Sequence, residues 1–181
     1  MAAFYDRGYE ATSVKELEAV TGLKPGSLYH AFGSKRGLFL RSLDHYVVSV
    51  VKERVATYLE SGPPIDGIRA FFESAAVYAK RHGRGCLVGN TALELRGGDA
   101  EIAAKVAAGL NAIEKGFGRS LRRGQVEGSI DSHADLTAHA VTLLSQFMGM
   151  LLLAQSGTKA SKLKAIVEVA LATLPRKLPP A

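Results

Sequence analysis

The chain has 181 residues, of which 47% are hydrophobic and 22% are charged, and its formal net charge is +6. This length and composition fit one or two globular domains, and they exclude a disordered tail, a collagen-like chain and a low-complexity chain. The single cysteine excludes an intramolecular disulfide, a zinc finger and CxxC redox chemistry, and it fits a reducing cytoplasm. The first residues do not form a basic-then-apolar leader, so we expect a protein that is not exported.

Apolar residues recur three and four positions apart along the whole chain, which predicts an all-α fold. Ser13-Val14-Lys15-Glu16 predicts a capping box at the start of a helix. Gly22 is expected to end that helix. Pro25 is expected to open a short helix to about residue 32, and Ser34 to cap a long one from residue 35 to about 60. The break Gly62-Pro63-Pro64 follows. Further helices are expected at about 65–81, 86–95, 100–123, 134–155 and 161–174, with order ending at Pro175, Pro179 and Pro180.

Residues 136–154 contain no Asp, Glu, Lys or Arg, but they do contain His139, Ser145 and Gln146. This pattern favours a helix that is buried on most sides, or that lies in a subunit interface, over a membrane span. We therefore predict no membrane partner.

Residues 14–50 have the pattern of a helix-turn-helix unit: two short helices joined at Gly22-Leu23 and followed by a long one. The segment 24–30 (KPGSLYH) offers small residues for close approach to a groove, polar side chains for base edges and donors for phosphates. Lys24, Lys35, Arg36 and Arg41 lie in a stretch without acids, which indicates a local positive patch. The pattern alone also fits an ordinary helical hairpin with a polar surface.

A longer motif is Gly8-Tyr9-x-x-Thr12-x-Val14 followed by Gly22-Leu23-x-x-Gly26-Ser27-Leu28-Tyr29-x-x-Phe32-x-Ser34-Lys35-x-x-Leu38. This motif, over about residues 4–50, resembles the DNA-binding signature of the tetracycline-repressor (TetR/AcrR) family. The resemblance implies an all-helical homodimer with a three-helix DNA-binding head at residues 1–50 and an effector-binding and dimerisation body at 51–181. Effector binding in the body would change the separation of the two heads. The family's first helix begins before Phe4, so we expect this chain to begin inside that helix.

The resemblance also implies roles for single residues. Thr12, Tyr29 and Lys35 match positions that hold phosphates, and the backbone amides of Ser34 and Lys35 open a helix whose dipole favours an anion. Ser27, His30 and Lys24 match positions that can reach base edges, and Pro25 and Gly26 belong to the same expected DNA-binding segment. The expected partner is double-stranded operator DNA with a palindromic sequence, whose half-sites lie in successive major grooves.

The body offers candidates for two further sites. Large apolar groups and isolated polar groups on its central helices are candidate effector contacts, although each one alone fits a plain core equally well. They are Phe72, Tyr78, Cys86, Asn90, Leu93, Glu94, Phe117, Gln146, Phe147 and Met150. The last two long helices are the expected dimer interface, through Leu143, Leu144, Met148, Gly149, Leu151, Leu152, Ile166 and Val169.

Two alternatives to a small-molecule-responsive repressor stay open at this point. The segment RGCLVGNTALEL, residues 84–95, resembles a segment of a TetR subgroup that includes repressors responding to reactive electrophiles, which makes Cys86 a candidate electrophile or redox sensor. A helical adaptor that binds protein and not DNA is the other alternative, and salt-dependent DNA binding separates it from a repressor.

Catalytic and metal motifs are missing from the sequence. It has no HExxH, GxSxG or P-loop pattern, and its five histidines show no repeated metal spacing, so we predict no enzyme, no metal and no cofactor. The expected function is a cytoplasmic bacterial transcriptional regulator that is nucleoid-associated when bound to DNA, a repressor rather than an activator, released by an unidentified small organic effector.

Overall fold

The computed structural model describes residues 1–95 and 98–176, and it confirms the all-α class. Pro179 and Pro180, where order was expected to end, lie outside the described residues. Within the described ranges the only β pairing is an isolated antiparallel bridge between Ile130 and Arg176. The helices are α1 (Ala2–Arg7), α2 (Val14–Thr21), α3 (Pro25–Phe32), α4 (Lys35–Tyr46), α5 (Pro64–His82), α6 (Leu87–Leu95), α7 (Ala100–Glu127), α8 (Leu136–Gln155) and α9 (Ala160–Ala172).

The predicted helix boundaries in the helix-turn-helix region are confirmed. The Ser13 hydroxyl accepts from the Glu16 N–H at 3.2 Å, and the Ser13 N–H donates to the Glu16 carboxylate at 2.8 Å. That backbone hydrogen bond holds the pKa of Glu16 below its usual value. Gly22 ends α2 with φ +68°, a left-handed conformation that glycine adopts without a steric penalty, and Pro25 lies in the first turn of α3.

The long helix expected from residue 35 to about 60 is only partly regular. It is α-helical to Tyr46 and then continues as two π-helical stretches, Val47–Lys52 and Val55–Leu59. Five valines fall within these stretches. Branched side chains crowd the preceding turn of an α-helix, so these residues have a lowered preference for regular α-helix.

By its internal contacts the chain divides into two compact units. The first unit comprises residues 1–50 and 86–109, so α6 and the start of α7 cluster with α1–α4. Its core contains Phe4 and Phe39, whose ring centroids lie 4.9 Å apart, and Tyr9, 4.8 Å from Phe39. Val88 and Ile102, from the later segment, are also buried. How DNA binding and dimerisation divide between residues 1–50 and 51–181 stays a prediction.

The second unit comprises residues 51–85 and 110–181. Its core is an aromatic cluster on three helices, formed by Phe71 and Phe72 of α5, Phe117 of α7 and Phe147 of α8. The ring centroid of Phe147 lies 4.8 Å from Phe71 and 5.3 Å from Phe72. Helix α5 packs against both α8 and α9.

Helix α8 is long and apolar enough to cross a membrane, judged by length and composition alone. Core helices of soluble proteins meet the same criterion, so one such helix is weak evidence for a membrane protein. The expectation that this helix is buried on most sides is wrong within the protomer, because only 33% of its most apolar window is buried. Its outer side is apolar and exposed, with Val141, Leu152 and Leu153 on the surface.

Two glycines of α7 provide a matched test of how tightly the second unit is packed. A Cβ at Gly116 would lie 2.9 Å from Cγ1 of Val55, whereas one at Gly118 would meet only the Ala140 Cβ at 3.9 Å. We expect Gly116→Ala to lower the free energy of unfolding by about 1 kcal/mol, because overpacking outweighs the gain in helix propensity. Gly118→Ala should raise it by about 0.5–1 kcal/mol. Urea unfolding followed by circular dichroism measures both, and equal stabilisation would contradict the close packing at Gly116.

Candidate functional site

The exposed side of α3 carries most of the residues predicted to approach DNA. Gly26, Ser27, Tyr29 and His30 are exposed, while Leu28 is buried beneath them and fixes the helix to the first unit. Lys24, the residue before α3, is exposed and makes no side-chain capping bond, and Pro25 is half-buried. We call Lys24, Gly26, Ser27, Tyr29 and His30 the recognition face.

The start of α4 lies beside this face. The Ser34 hydroxyl caps α4 by accepting from the Gly37 N–H at 3.0 Å. Tyr29, Ser34 and Lys35 line one small crevice together with apolar residues of α2, α3 and α4. The structure therefore brings together three of the residues for which the sequence predicted phosphate contacts.

Lys35 is held against the α1–α2 loop, residues 8–13. Its Nζ donates to the carbonyl oxygen of Glu10 at 3.2 Å and lies 4.6 Å from the centre of the Tyr9 ring. One of the three ammonium hydrogens is used in this bond, so two stay available for another acceptor.

Glu94 of α6 binds the same loop by accepting hydrogen bonds from two of the loop's backbone N–H groups. Its Oε2 accepts from the Tyr9 N–H at 2.9 Å, and its Oε1 accepts from the Glu10 N–H at 2.7 Å. Gly8 has φ +82°, and a Cβ there would lie 2.6 Å from Oε2 of Glu94. The prediction that Glu94 binds an effector is therefore corrected, because each of its carboxylate oxygens accepts a backbone N–H of the loop.

Arg36 does not add to the positive patch that the sequence indicated. Its guanidinium makes two bonds to Asp99, of 2.6 and 2.9 Å, and lies 2.8 Å from the Glu101 carboxylate. Asp99 also accepts from the N–H groups of Glu101 and Ile102, at 3.0 and 3.2 Å, at the start of α7. The Arg36 hydrogen bonds, followed by these backbone bonds, hold the pKa of Asp99 far below its usual value.

Thr12 is buried, although its position in the signature implied a phosphate contact. Its side chain is fully buried, and its hydroxyl donates to the carbonyl oxygen of Gly8 at 2.6 Å. The hydroxyl thus closes the α1–α2 loop from inside the unit, and we leave Thr12 out of the candidate DNA contacts.

Cys86 lies just before α6 and is 5% exposed. Burial raises the pKa of Tyr46 well above its usual value, and the neighbouring Cys86 thiol and Tyr5 hydroxyl raise it further. The thiol is therefore packed beside two tyrosines in the first unit. Reactive cysteines lie in partly exposed, electropositive surroundings, so the redox-sensor alternative is not favoured.

The remaining candidate effector residues fall into two groups. Phe72, Phe117, Phe147 and Met150 are buried together in the second unit, and Phe72 lies 5.8 Å from Phe117 between ring centroids. Tyr78, Leu93 and Asn90 do not join this cluster. Tyr78 is exposed and stacks on His82 at 4.3 Å, Leu93 is 64% exposed, and Asn90 is half-buried in the first unit.

Gln146 and Arg123 of the second unit each have a buried polar atom without a hydrogen-bond partner in the described residues, and in Gln146 that atom is an acceptor. Oε1 of Gln146 is buried and accepts no hydrogen bond within residues 1–95 and 98–176. An unsatisfied buried acceptor costs about 1–3 kcal/mol, so structures rarely keep one without a reason. Gln146 lies on α8 one turn from the buried residues Leu143 and Met150, with which it shares a helix face.

Both parts of the chain match known families. Residues 1–41 match the family described as "Bacterial regulatory proteins, tetR family", and residues 64–170 match "Tetracyclin repressor-like, C-terminal domain". The chain is 29% identical over 178 residues to the HTH-type transcriptional repressor ComR of Escherichia coli (strain K12), covering 97% of this chain and 85% of ComR. It is also 29% identical over 153 residues to the repressor DhaR of Mycobacterium sp. (strain GP1), covering 82% of this chain and 75% of DhaR.

Solved structures share the fold. A cysteine mutant of the TetR family regulator CifR, complexed with double-strand operator DNA, matches with a TM-score of 0.82 and 27% identity. That match covers 94% of this chain and 91% of CifR. The reduced form of E. coli NemR matches with a TM-score of 0.87 over 97% of this chain and 93% of NemR, and at 19% identity this likeness concerns the fold alone.

A comparison of two glutamines tests whether the Gln146 acceptor lacks a partner. We expect Gln146→Leu to raise the thermal midpoint, because about 1–3 kcal/mol of desolvation cost is removed and each kcal/mol shifts the midpoint of such a chain by about 2–4 °C. Gln125→Leu is the control and should lower it, because the Gln125 amide donates to the carbonyl oxygen of Asp131 at 2.9 Å. Differential scanning calorimetry measures both, and a lower midpoint for Gln146→Leu would show that the acceptor is satisfied.

Proposed function

Because this chain belongs to the tetR family of bacterial regulatory proteins and is a DNA-binding regulator, not an enzyme, we propose that it is a repressor that binds a palindromic operator through the recognition face. Helix α3 lies in the major groove, where Ser27, His30 and Lys24 approach base edges. Tyr29, Lys35 and the N-terminal amides of α4 hold phosphates. We place the protein in the cytoplasm, on the nucleoid when it is bound to DNA.

One observation carries this proposal: the polar recognition face is exposed while Leu28, between its members, is buried. The fold therefore presents this face outward instead of using it for packing. Tyr29 is 45% exposed, and it shares its crevice with Lys35 at the start of α4, where backbone amides and a cation favour an anion. CifR, the related regulator, was solved with operator DNA, which adds support for the same partner here.

We further propose that two copies associate through α8 and α9. Leu152 and Val169, both expected in the interface, are 54% and 58% exposed, and the neighbouring Val141 is 48% exposed. Gly149 is exposed, and a Cβ there would meet nothing within 4 Å, which permits a close approach by a second helix. Leu144, Met148 and Ile166 are half-buried and flank this face. Leu143 and Leu151 are buried inside the second unit, so we leave them out of the interface.

We propose that a small organic effector that carries a hydrogen-bond donor binds beside the aromatic cluster. The buried aromatic residues of the second unit and one unpaired acceptor, Oε1 of Gln146, are the features that support this choice. Release of operator DNA then requires that the effector binds one arrangement of the heads more tightly than the other. Molecules that release the selected operator from the wild type but not from Gln146→Leu would identify the effector, and equal release from both would move the site elsewhere.

Selection from a random double-stranded pool tests the DNA contacts. We expect the wild type to enrich a palindrome, and Tyr29→Phe combined with Lys35→Ala to lose that enrichment. Each lost Lys35 contact should reduce the slope of log K against log salt by about 0.9 per head. Lys80→Ala, which removes an exposed lysine of α5, is the matched control and should enrich the same palindrome. If the wild type enriches no sequence even at low salt, operator binding by this chain is wrong.

The oligomeric state tests the interface. Leu152→Glu and Val169→Glu place a charge on the exposed side of α8 and α9, so we expect each to give monomers in sedimentation velocity. Both side chains are exposed in the protomer, so helix content should not change. Val126→Glu, at an 85% exposed position of α7, is the control and should stay dimeric. If both Leu152→Glu and Val169→Glu form dimers as stable as the wild-type dimer, the interface lies on another surface.

A further inference from the structure

We propose that Glu94 is a positioning residue for DNA binding, which acts through the α1–α2 loop on Lys35. The inference rests on the proposed phosphate contact of Lys35. It adds a residue of α6 that does not lie on the recognition face and that the sequence suggested for a different role.

The first step is the attachment of the loop to α6. Two backbone N–H groups, of Tyr9 and Glu10, each donate to a separate oxygen of one carboxylate, at 2.9 and 2.7 Å. A carboxylate provides two acceptors and no donor, so it fits both N–H groups, whereas an amide in its place would set a donor against one of them. Gly8 allows this approach, since any side chain there would collide with the carboxylate.

The second step is the attachment of Lys35 to the same loop. Glu10 donates its N–H to Glu94 and, at its carbonyl oxygen, accepts from Nζ of Lys35 at 3.2 Å. The ring of Tyr9, whose N–H is the other group held by Glu94, lies under the ammonium at 4.6 Å. The Glu10 carbonyl and the Tyr9 ring, which contact the Lys35 ammonium, therefore belong to the two residues whose N–H groups donate to Glu94.

The consequence is preorganisation of a long, flexible side chain. An unrestrained lysine loses rotamer freedom when it binds a phosphate, and this loss reduces affinity. The loop restrains Lys35 beforehand, and two of the three ammonium hydrogens stay available for phosphate oxygens. Glu94 thus supports binding although its own charge repels DNA.

The sign of the effect separates this role from simple electrostatics. Glu94→Gln removes a negative charge from a protein that binds a polyanion, so a purely electrostatic role predicts tighter binding. The positioning role predicts weaker binding, by about 3- to 10-fold per head, because Lys35 loses its restraint. Glu127→Gln removes an exposed carboxylate of α7 as the matched control, and it should not weaken binding.

A double-mutant cycle completes the test, with fluorescence anisotropy of the full chain on its selected operator duplex at several salt concentrations. We expect Lys35→Met to weaken binding and to lower the salt slope, and Glu94→Gln to cause no further weakening in the Lys35→Met background, where only the loss of its negative charge still acts. Equal losses in both backgrounds, or tighter binding by Glu94→Gln alone, would overturn the inference. Glu94→Asp, which keeps the charge but shortens the side chain, should also weaken binding, and it serves as the test if Glu94→Gln does not fold.

The same data distinguish this inference from the proposed function. If Lys35→Met binds the operator as tightly as the wild type, the phosphate contact itself is wrong. If Lys35→Met weakens binding while Glu94→Gln does so independently of it, operator binding stands and only the positioning role of Glu94 fails.

Discussion

The attachment of residues 86–109 to α1–α4 is the interaction on which the first unit of this structure depends. Four helices within 50 residues have only a small core of their own, and Val88 and Ile102 add to the core that Phe4 and Phe39 begin. Polar contacts then fix the orientation: Glu94 holds the α1–α2 loop, and Asp99 holds Arg36. With one side of the helices covered in this way, the recognition face is the side left for a partner.

Local signals in the sequence were sufficient to predict the helix-turn-helix. The capping box at Ser13, the left-handed glycine at 22 and the proline at 25 act within a few residues of themselves, so their effects can be deduced without a fold. The all-α class followed from apolar spacing in the same way. The π-helical stretches were not predicted, because a run of valines shows crowding but not how the backbone relieves it.

The errors concern partners that are distant in the sequence. Arg36 lies 63 positions from Asp99, and Glu94 lies 84 and 85 positions from the two N–H groups that it accepts. No spacing rule connects such residues, so Arg36 was counted as free positive charge and Glu94 as a polar group awaiting a ligand. Thr12 was misplaced for a related reason: its position in the signature does not reveal that its hydroxyl is turned inward to Gly8.

These long-range contacts also change the charge that DNA would meet. Pairing of Arg36 with Asp99 and Glu101, and of Lys105 with Asp44 at 2.6 Å, neutralises two cations of the first unit. Non-specific affinity for DNA scales with the number of phosphates that a protein neutralises, so this pairing lowers the affinity for random sequence. Lys24 on the recognition face and Lys35 beside it take no part in these two ion-pair groups, so their charges stay available for the proposed contacts with DNA. A regulator that must find one operator among many competing sites gains specificity from such an arrangement.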